Sequence, residues 1–229
     1  MAKADLLALL RTELSRAGDP KKTAAMQAYM KSAMPYWGVQ TAAQRAITRR
    51  LFAAHRPQST AEWRAACLKI WRAAKYREER YAAIELTGFK YYRDWQTLDT
   101  LPMYEEMIVT GAWWDYVDAI ASARLGPLLR RYPAPMRRKM LQWSRSRDLW
   151  KRRSAILCQL SFKSETGLDL LYAVIEPSLG SKEFFLQKAI GWALRQYAWT
   201  DPREVRRYIR VNANRLSALS KREALKNIQ

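Results

Sequence analysis

Apolar residues recur along this chain every three or four positions, as in Leu6, Leu7, Leu9, Leu10 and Leu14, or Phe185, Ala189, Trp192, Ala193 and Tyr197. That is the period of an amphipathic helix, and sustained alternation of the strand kind is missing. Polar residues mark where the helices should begin. Asp19-Pro20, Thr41 with Gln44, Ser59 with Glu62, Thr100 before Leu101-Pro102, Ser181, Asp201-Pro202 and Ser220 with Glu223 each offer an N-cap oxygen, most with a first-turn proline or a capping-box partner. Helices are expected to start near residues 4, 20, 41, 60, 77, 101, 113, 135, 147, 165, 182, 202 and 218. Starts about 18 residues apart pair into units of about 36, the size of helical-hairpin repeats. Self-similarity between units is weak, so repetition rests on rhythm alone. The expected architecture is all-α, a curved, solenoid-like stack of antiparallel helix pairs, with an irregular bundle as second choice.

Composition narrows the function. With 49% apolar residues in 229 and only 8 Gly and 9 Pro, the chain can bury a substantial core, which excludes disorder. Lys and Arg number 41 against 21 Asp and Glu, a net charge of +20. A polyanion is the natural partner, because cationic side chains release the counterions condensed on nucleic-acid phosphates; an anionic membrane surface is the rival. The longest stretch without charge, Ser32 to Gln44, holds Pro35 and Gly38 and falls short of the roughly 20 apolar residues of a spanning helix. Met1-Ala-Lys-Ala-Asp5 lacks the apolar core of a signal peptide, which gives the expectation of a cytoplasmic protein. Cys67 and Cys158 fall on apolar helix faces and should be reduced, buried thiols. One histidine, His55, and no CxxC pair leave zinc and iron–sulfur sites without ligands, so neither metal nor cofactor is expected. Chemistry is left to carboxylates, Lys, Arg, Tyr and Trp.

The distribution of charge sharpens this. From Arg130 to Arg153 there are ten basic residues against Asp148, and from Arg203 to Arg222 seven against Glu204. A solvated helix face usually mixes signs, so blocks this poor in acid favour a phosphate-binding surface. Among the few acids, Asp118 stands out. It lies four residues after Trp114, on the same helix face, and Asp is a poor mid-helix residue. Its alternative is a plain ion pair with a nearby Arg. Asp115 in the first turn has a structural reason, the helix dipole. Trp192 and Arg195 are neighbours on a later helix, where Trp192 could equally belong to the core; Gly191 there permits close approach of a helix or of a ligand backbone.

Five strings, YMKSAMPYWGVQT (29–41), IVTGAWWDYVD (108–118), WKRRSAILCQL (150–160), SKEFFLQKAIGWALRQYA (181–198) and LSKREALKNI (219–228), together resemble AlkD-type DNA alkylation-repair glycosylases. The resemblance spans roughly residues 20 to 228 and implies a single all-α domain of HEAT-like repeats over 1–229 that cradles double-stranded DNA containing alkylated purines; one chain could cover a duplex segment unaided, so a monomer is expected. It implies that Asp118 is the catalytic carboxylate and that Trp114 and Trp192 contact the deoxyribose of the damaged nucleotide. It places Tyr29 against DNA near the lesion, Arg153 on the DNA backbone beside the carboxylate, and Gln40, Thr41, Arg45 and Arg195 on phosphates. The expected reaction is hydrolysis of the N-glycosidic bond of N3- or N7-alkylated purines, without strand cleavage and without enclosing the base. The chain departs from the resemblance at Ala42, where related loops often carry Pro, and in the unusually aromatic stretch Thr87 to Pro102. Two other readings stay open: a non-catalytic binder of duplex or branched DNA, and a protein–protein scaffold, which gives no reason for the Trp/Asp constellation.

Overall fold

The structure is a computed structural model that describes residues 5–228. It is all-helical, with no strand among the described residues. The chain divides into two compact units, Met1–Met103 and Tyr104–Gln229.

The first unit holds α1 (Leu6–Arg16), α2 (Pro20–Met30), α3 (Thr41–Ala54), α4 (Thr60–Ala73) and α5 (Arg77–Thr87). The expected caps form at α2, where Asp19 accepts from Lys21 N ahead of Pro20, and at α4, where Ser59 accepts from Glu62 N. At α3 the cap position belongs to Gln40, whose side chain bonds nothing there; Thr41 is the first helical residue, not the cap expected from its hydroxyl. Helices α1, α3, α4 and α5 pack on one another and bury Leu10, Leu14, Phe52, Trp63, Cys67, Ile70 and Leu86. After α5 the chain makes two short 3₁₀ turns instead of a helix. Tyr92 stacks on Trp95 at 4.9 Å, both rings lie about 6 Å from Trp63, and Phe89 meets Phe52 edge-on at 5.8 Å. The aromatic stretch is thus a plug: rings fill the space that a helix face covers elsewhere.

The chain enters the second unit within α6 (Leu101–Gly111) and continues through α7 (Trp114–Ile120), α8 (Gly126–Arg131), α9 (Pro133–Ser144), α10 (Leu149–Leu157), α11 (Leu168–Ile175), α12 (Phe184–Ala198), α13 (Pro202–Val211) and α14 (Ala218–Leu225). Between α7 and α8 the backbone stays helical but widens to a π turn over Ala121–Leu125. Pro127 explains the widening: it has no N–H, and its ring would collide with the carbonyl one turn back. The Ala123 carbonyl that loses a backbone donor accepts Arg124 Nη1 at 2.8 Å instead. The core joins Ile156 and Leu157 of α10, Leu171 and Ile175 of α11, Leu186, Ala189, Ile190 and Leu194 of α12, and Val205 and Tyr208 of α13. Gly191 serves helix packing: a Cβ there would lie 2.5 Å from Glu223 Cβ and 2.9 Å from the Ser220 carbonyl. Ser220 does not cap α14 as its spacing from Glu223 suggested. Ser217 does, accepting Ser220 N, and Ser220 donates to the Gln187 carbonyl on α12 at 2.9 Å. Both cysteines are free and buried, and burial pushes the Cys158 thiol up to about 12.

Candidate active site

In the second unit, α7 and α10 lie together and place Asp118 against Arg153. The turn at Gly111-Ala112 ends α6, Trp113 occupies the cap position of α7, and Trp114 and Asp118 follow on one face. Asp118 is 8% exposed. Arg153 is buried too, and its fork donates Nε to Oδ1 at 2.7 Å and Nη2 to Oδ2 at 2.8 Å. The remaining nitrogen, Nη1, donates to the Phe185 carbonyl at the start of α12. The guanidinium is therefore locked from three sides by α7 and α12. Trp113, Trp150 and Phe185 pack beside it with ring centroids 5.0 to 6.3 Å apart.

Burial raises the Asp118 carboxyl above the ordinary carboxylate value, the Arg153 guanidinium works against that rise, and Asp115 adds to it. A neutral Asp118 would leave a buried guanidinium without a counter-ion, so the pair stays ionised at neutral pH. Both bonds to the carboxylate come from one side chain, one to each oxygen, which leaves further lone pairs unused on a side chain that keeps 10% of its surface exposed.

The other expected residues fall in two places. Trp192 and Arg195 lie in the second unit on α12: Trp192 is partly buried against the core cluster, and Arg195 donates to Glu223 at 2.8 Å, sharing that carboxylate with Lys188. Tyr29, Gln40, Thr41 and Arg45 are all exposed in the first unit, Tyr29 at 76%.

Sequence reasoning missed what holds the second group. The run Arg77-Glu78-Glu79 opens α5 and is buried, although all three residues are charged. Glu78 accepts Trp37 N at 3.0 Å, Gly38 N at 2.9 Å and Val39 N at 3.0 Å. Its burial raises the carboxyl while the three amides oppose the rise. Gly38 has φ +84°, and a Cβ there would lie 2.2 Å from the Asp19 carbonyl, so the turn needs glycine. Arg77 Nη1 donates to Ser32 Oγ at 2.8 Å, and Glu79 accepts Arg11 Nε at 3.1 Å and Lys75 N at 2.8 Å. These charges fix the loop that delivers Gln40 and Thr41. The only signal in the sequence is a helix start without a capping residue, at Tyr76.

The basic block at 130–153 also reads differently in space. Arg130 pairs with Glu165, Arg137 with Asp169, Lys139 and Lys151 with Glu105, and Arg153 with Asp118, while Arg152 donates to Ser178. Its acids were distant in sequence and near in the fold.

The sequence model of the DNA alkylation repair enzyme family matches residues 10–228. The chain belongs to that family. It is also similar to a solved structure described as a predicted DNA alkylation repair enzyme from Enterococcus faecalis. The two share 29% identity and a TM-score of 0.82, over 92% of this chain and 96% of that one. A comparison with curated proteins finds no match. The family gives the chain an enzymatic role in the repair of alkylated DNA. Among the described residues no group of His, Cys, Asp and Glu could hold a metal ion, and no helix is long and apolar enough to cross a membrane.

Proposed function

We propose that the protein is a monofunctional DNA glycosylase that hydrolyses the N-glycosidic bond of cationic N3- and N7-alkylated purines in duplex DNA. A purine alkylated at either nitrogen carries positive charge and leaves without protonation, so no general acid is needed. Positive charge then grows on the sugar. A carboxylate held in place before the reaction stabilises that charge and orients the attacking water, and indole faces add cation–π attraction of about 0.5 to 2 kcal/mol each. Asp118 has this character, and the observation that carries the reading is its bidentate lock by a buried Arg153 that leaves further lone pairs unused. Arg153 is then a positioning residue, with its donors turned to Asp118 and Phe185. Trp114 and Trp192 supply the indoles.

In this reading the attack is at the sugar, with the base left outside a pocket. Strand cleavage would need an amine nucleophile, and the cation at Asp118 is a guanidinium, which stays protonated. In this reading the whole chain works as one monomeric domain of HEAT-like repeats in the cytoplasm. Tyr29, Gln40, Thr41, Arg45 and Arg195 contact the DNA.

An ion pair as complete as Asp118–Arg153 also suits a DNA binder without chemistry. Base release from duplex DNA carrying N7-methylguanine separates the two. Asp118→Asn should slow single-turnover release by about 10²- to 10³-fold with duplex affinity retained. Equal rates for the variant and wild type would overturn the assignment.

A further inference from the structure

We infer that Glu223 of α14 is a positioning residue for base release: it acts through Arg195, fixing that guanidinium on the face of α12 that carries Trp192, with one edge left for the phosphate next to the sugar under attack. The inference rests on the glycosylase reading above.

Trp192 lies four residues after Lys188 and three before Arg195, so the three share one face of α12. A single carboxylate from α14 ties the two cations together. Glu223 Oε1 accepts Lys188 Nζ at 2.8 Å, and Oε2 accepts Arg195 Nη1 at 2.8 Å. Glycine at 191, between the cations and beside Trp192, makes this approach possible, because a Cβ there would lie 2.5 Å from Glu223 Cβ. The bond from Lys188, joined by the charges of Lys188 and Arg195, holds the Glu223 carboxyl below the ordinary carboxylate value. Lys188 thus anchors an ionised Glu223, and Glu223 in turn anchors Arg195.

Neither affinity nor simple bracing accounts for this acid. Beside a phosphate contact, a carboxylate repels DNA and neutralises cations that would attract it. Bracing of α12 on α14 is supplied elsewhere, by the bond from Ser220 Oγ to the Gln187 carbonyl at 2.9 Å and by Ala224 packed in the same core as Ala189 and Ile190. What Glu223 adds is direction. Arg195 is bound through Nη1, while its Nε and Nη2 make no bond among the described residues and 20% of the side chain is exposed. That free edge is the one with which Arg153 grips Asp118 through Nε and Nη2, a geometry that suits phosphate oxygens equally well. A guanidinium fixed before the DNA arrives loses less rotamer freedom on binding.

The test is single-turnover release of N7-methylguanine from duplex DNA, followed against protein concentration so that the plateau rate and the half-saturation point separate. Glu223→Gln should lower the plateau about tenfold. Half-saturation should be no weaker than in wild type, because the variant frees two cations. Arg195→Gln should reproduce the fall in plateau, and Glu223→Gln added to it should cost less than about twofold more, as expected of residues that act as one unit. Ser220→Ala, which removes a different bond between α14 and α12, should lower the melting temperature and keep the plateau. A wild-type plateau in Glu223→Gln would overturn the inference. So would fully additive losses in the double variant, or a fall in Ser220→Ala as large as in Glu223→Gln. In each of these cases the glycosylase reading stands as long as the wild type releases base and Asp118→Asn does so slowly. If the wild type releases none, that reading fails, and this inference with it.

Discussion

Two buried carboxylates, one in each unit, show how the same group is put to different uses. Glu78 in the first unit is saturated by three backbone amides from Trp37, Gly38 and Val39, with no side-chain cation among those donors. Asp118 in the second unit receives only the two bonds of a single guanidinium and keeps 10% of its side chain exposed. Amides cannot leave, so Glu78 fixes a loop shape and has nothing to offer a ligand. Asp118 is fixed in direction by Arg153 while its remaining lone pairs stay available. Burial raises both carboxyls, so a perturbed carboxyl does not by itself mark the chemical site. The identity of the donors does.

The largest effect expected from this contrast is at the ion pair. Arg153→Ala leaves Asp118 buried without its partner and should cost about 3 to 5 kcal/mol of stability. It should also slow base release, yet leave the salt slope of duplex binding unchanged. A slope lower by about one would make Arg153 a phosphate contact instead.

Glu78→Gln replaces an acceptor facing three amides with a group that is partly a donor. It should lower stability by about 1 to 3 kcal/mol and weaken duplex affinity. Single-turnover release at saturating protein should hold; a fall like that of Asp118→Asn would erase the distinction between the two carboxylates.

Trp192→Ala should slow release by the worth of one indole, about 0.5 to 2 kcal/mol in barrier. A loss of melting temperature large enough to account for all the lost activity would return Trp192 to the core against which it packs.

The smallest effect is in pH. Release needs the Asp118 anion, whose carboxyl is raised by burial, so activity should fall on acidification at a pH above the ordinary carboxylate value of 3.8. Stability has a separate acid limb. Glu204, held down to about 2 by Arg207 and Tyr172, contributes above its unfolded value of 4.5 and loses that contribution as pH falls through its folded one. A chemistry limb that coincides with unfolding, followed by circular dichroism, would show no separate titration of Asp118.

Most of the helix starts were legible because capping and apolar period are local. Asp19, Ser59 and Asp201 do what their spacing announces. Ser220 misled because a hydroxyl before an apolar run can also point at a neighbouring helix, and the nearness of α12 through Gly191 is a tertiary fact. The Asp118 candidate could be read from an unusual mid-helix acid beside a tryptophan, together with strings resembling a known family. Its partner's orientation could not: Arg153 is one cation in a dense basic block, and only the packing of α7 on α10 shows that it turns inward.

The sequence alone determined the helical class, the reduced thiols, the family resemblance and the excess of positive charge, since these follow from composition and from spacing within one turn or one cap. The tertiary structure decided which charges remain unpaired. Glu105, Glu165 and Asp169 neutralise cations far from them in sequence, and Glu78 is spent on a loop 40 residues upstream. Electrostatic partnership depends on distance in space, which falls off within a few ångströms and bears little relation to separation along the chain.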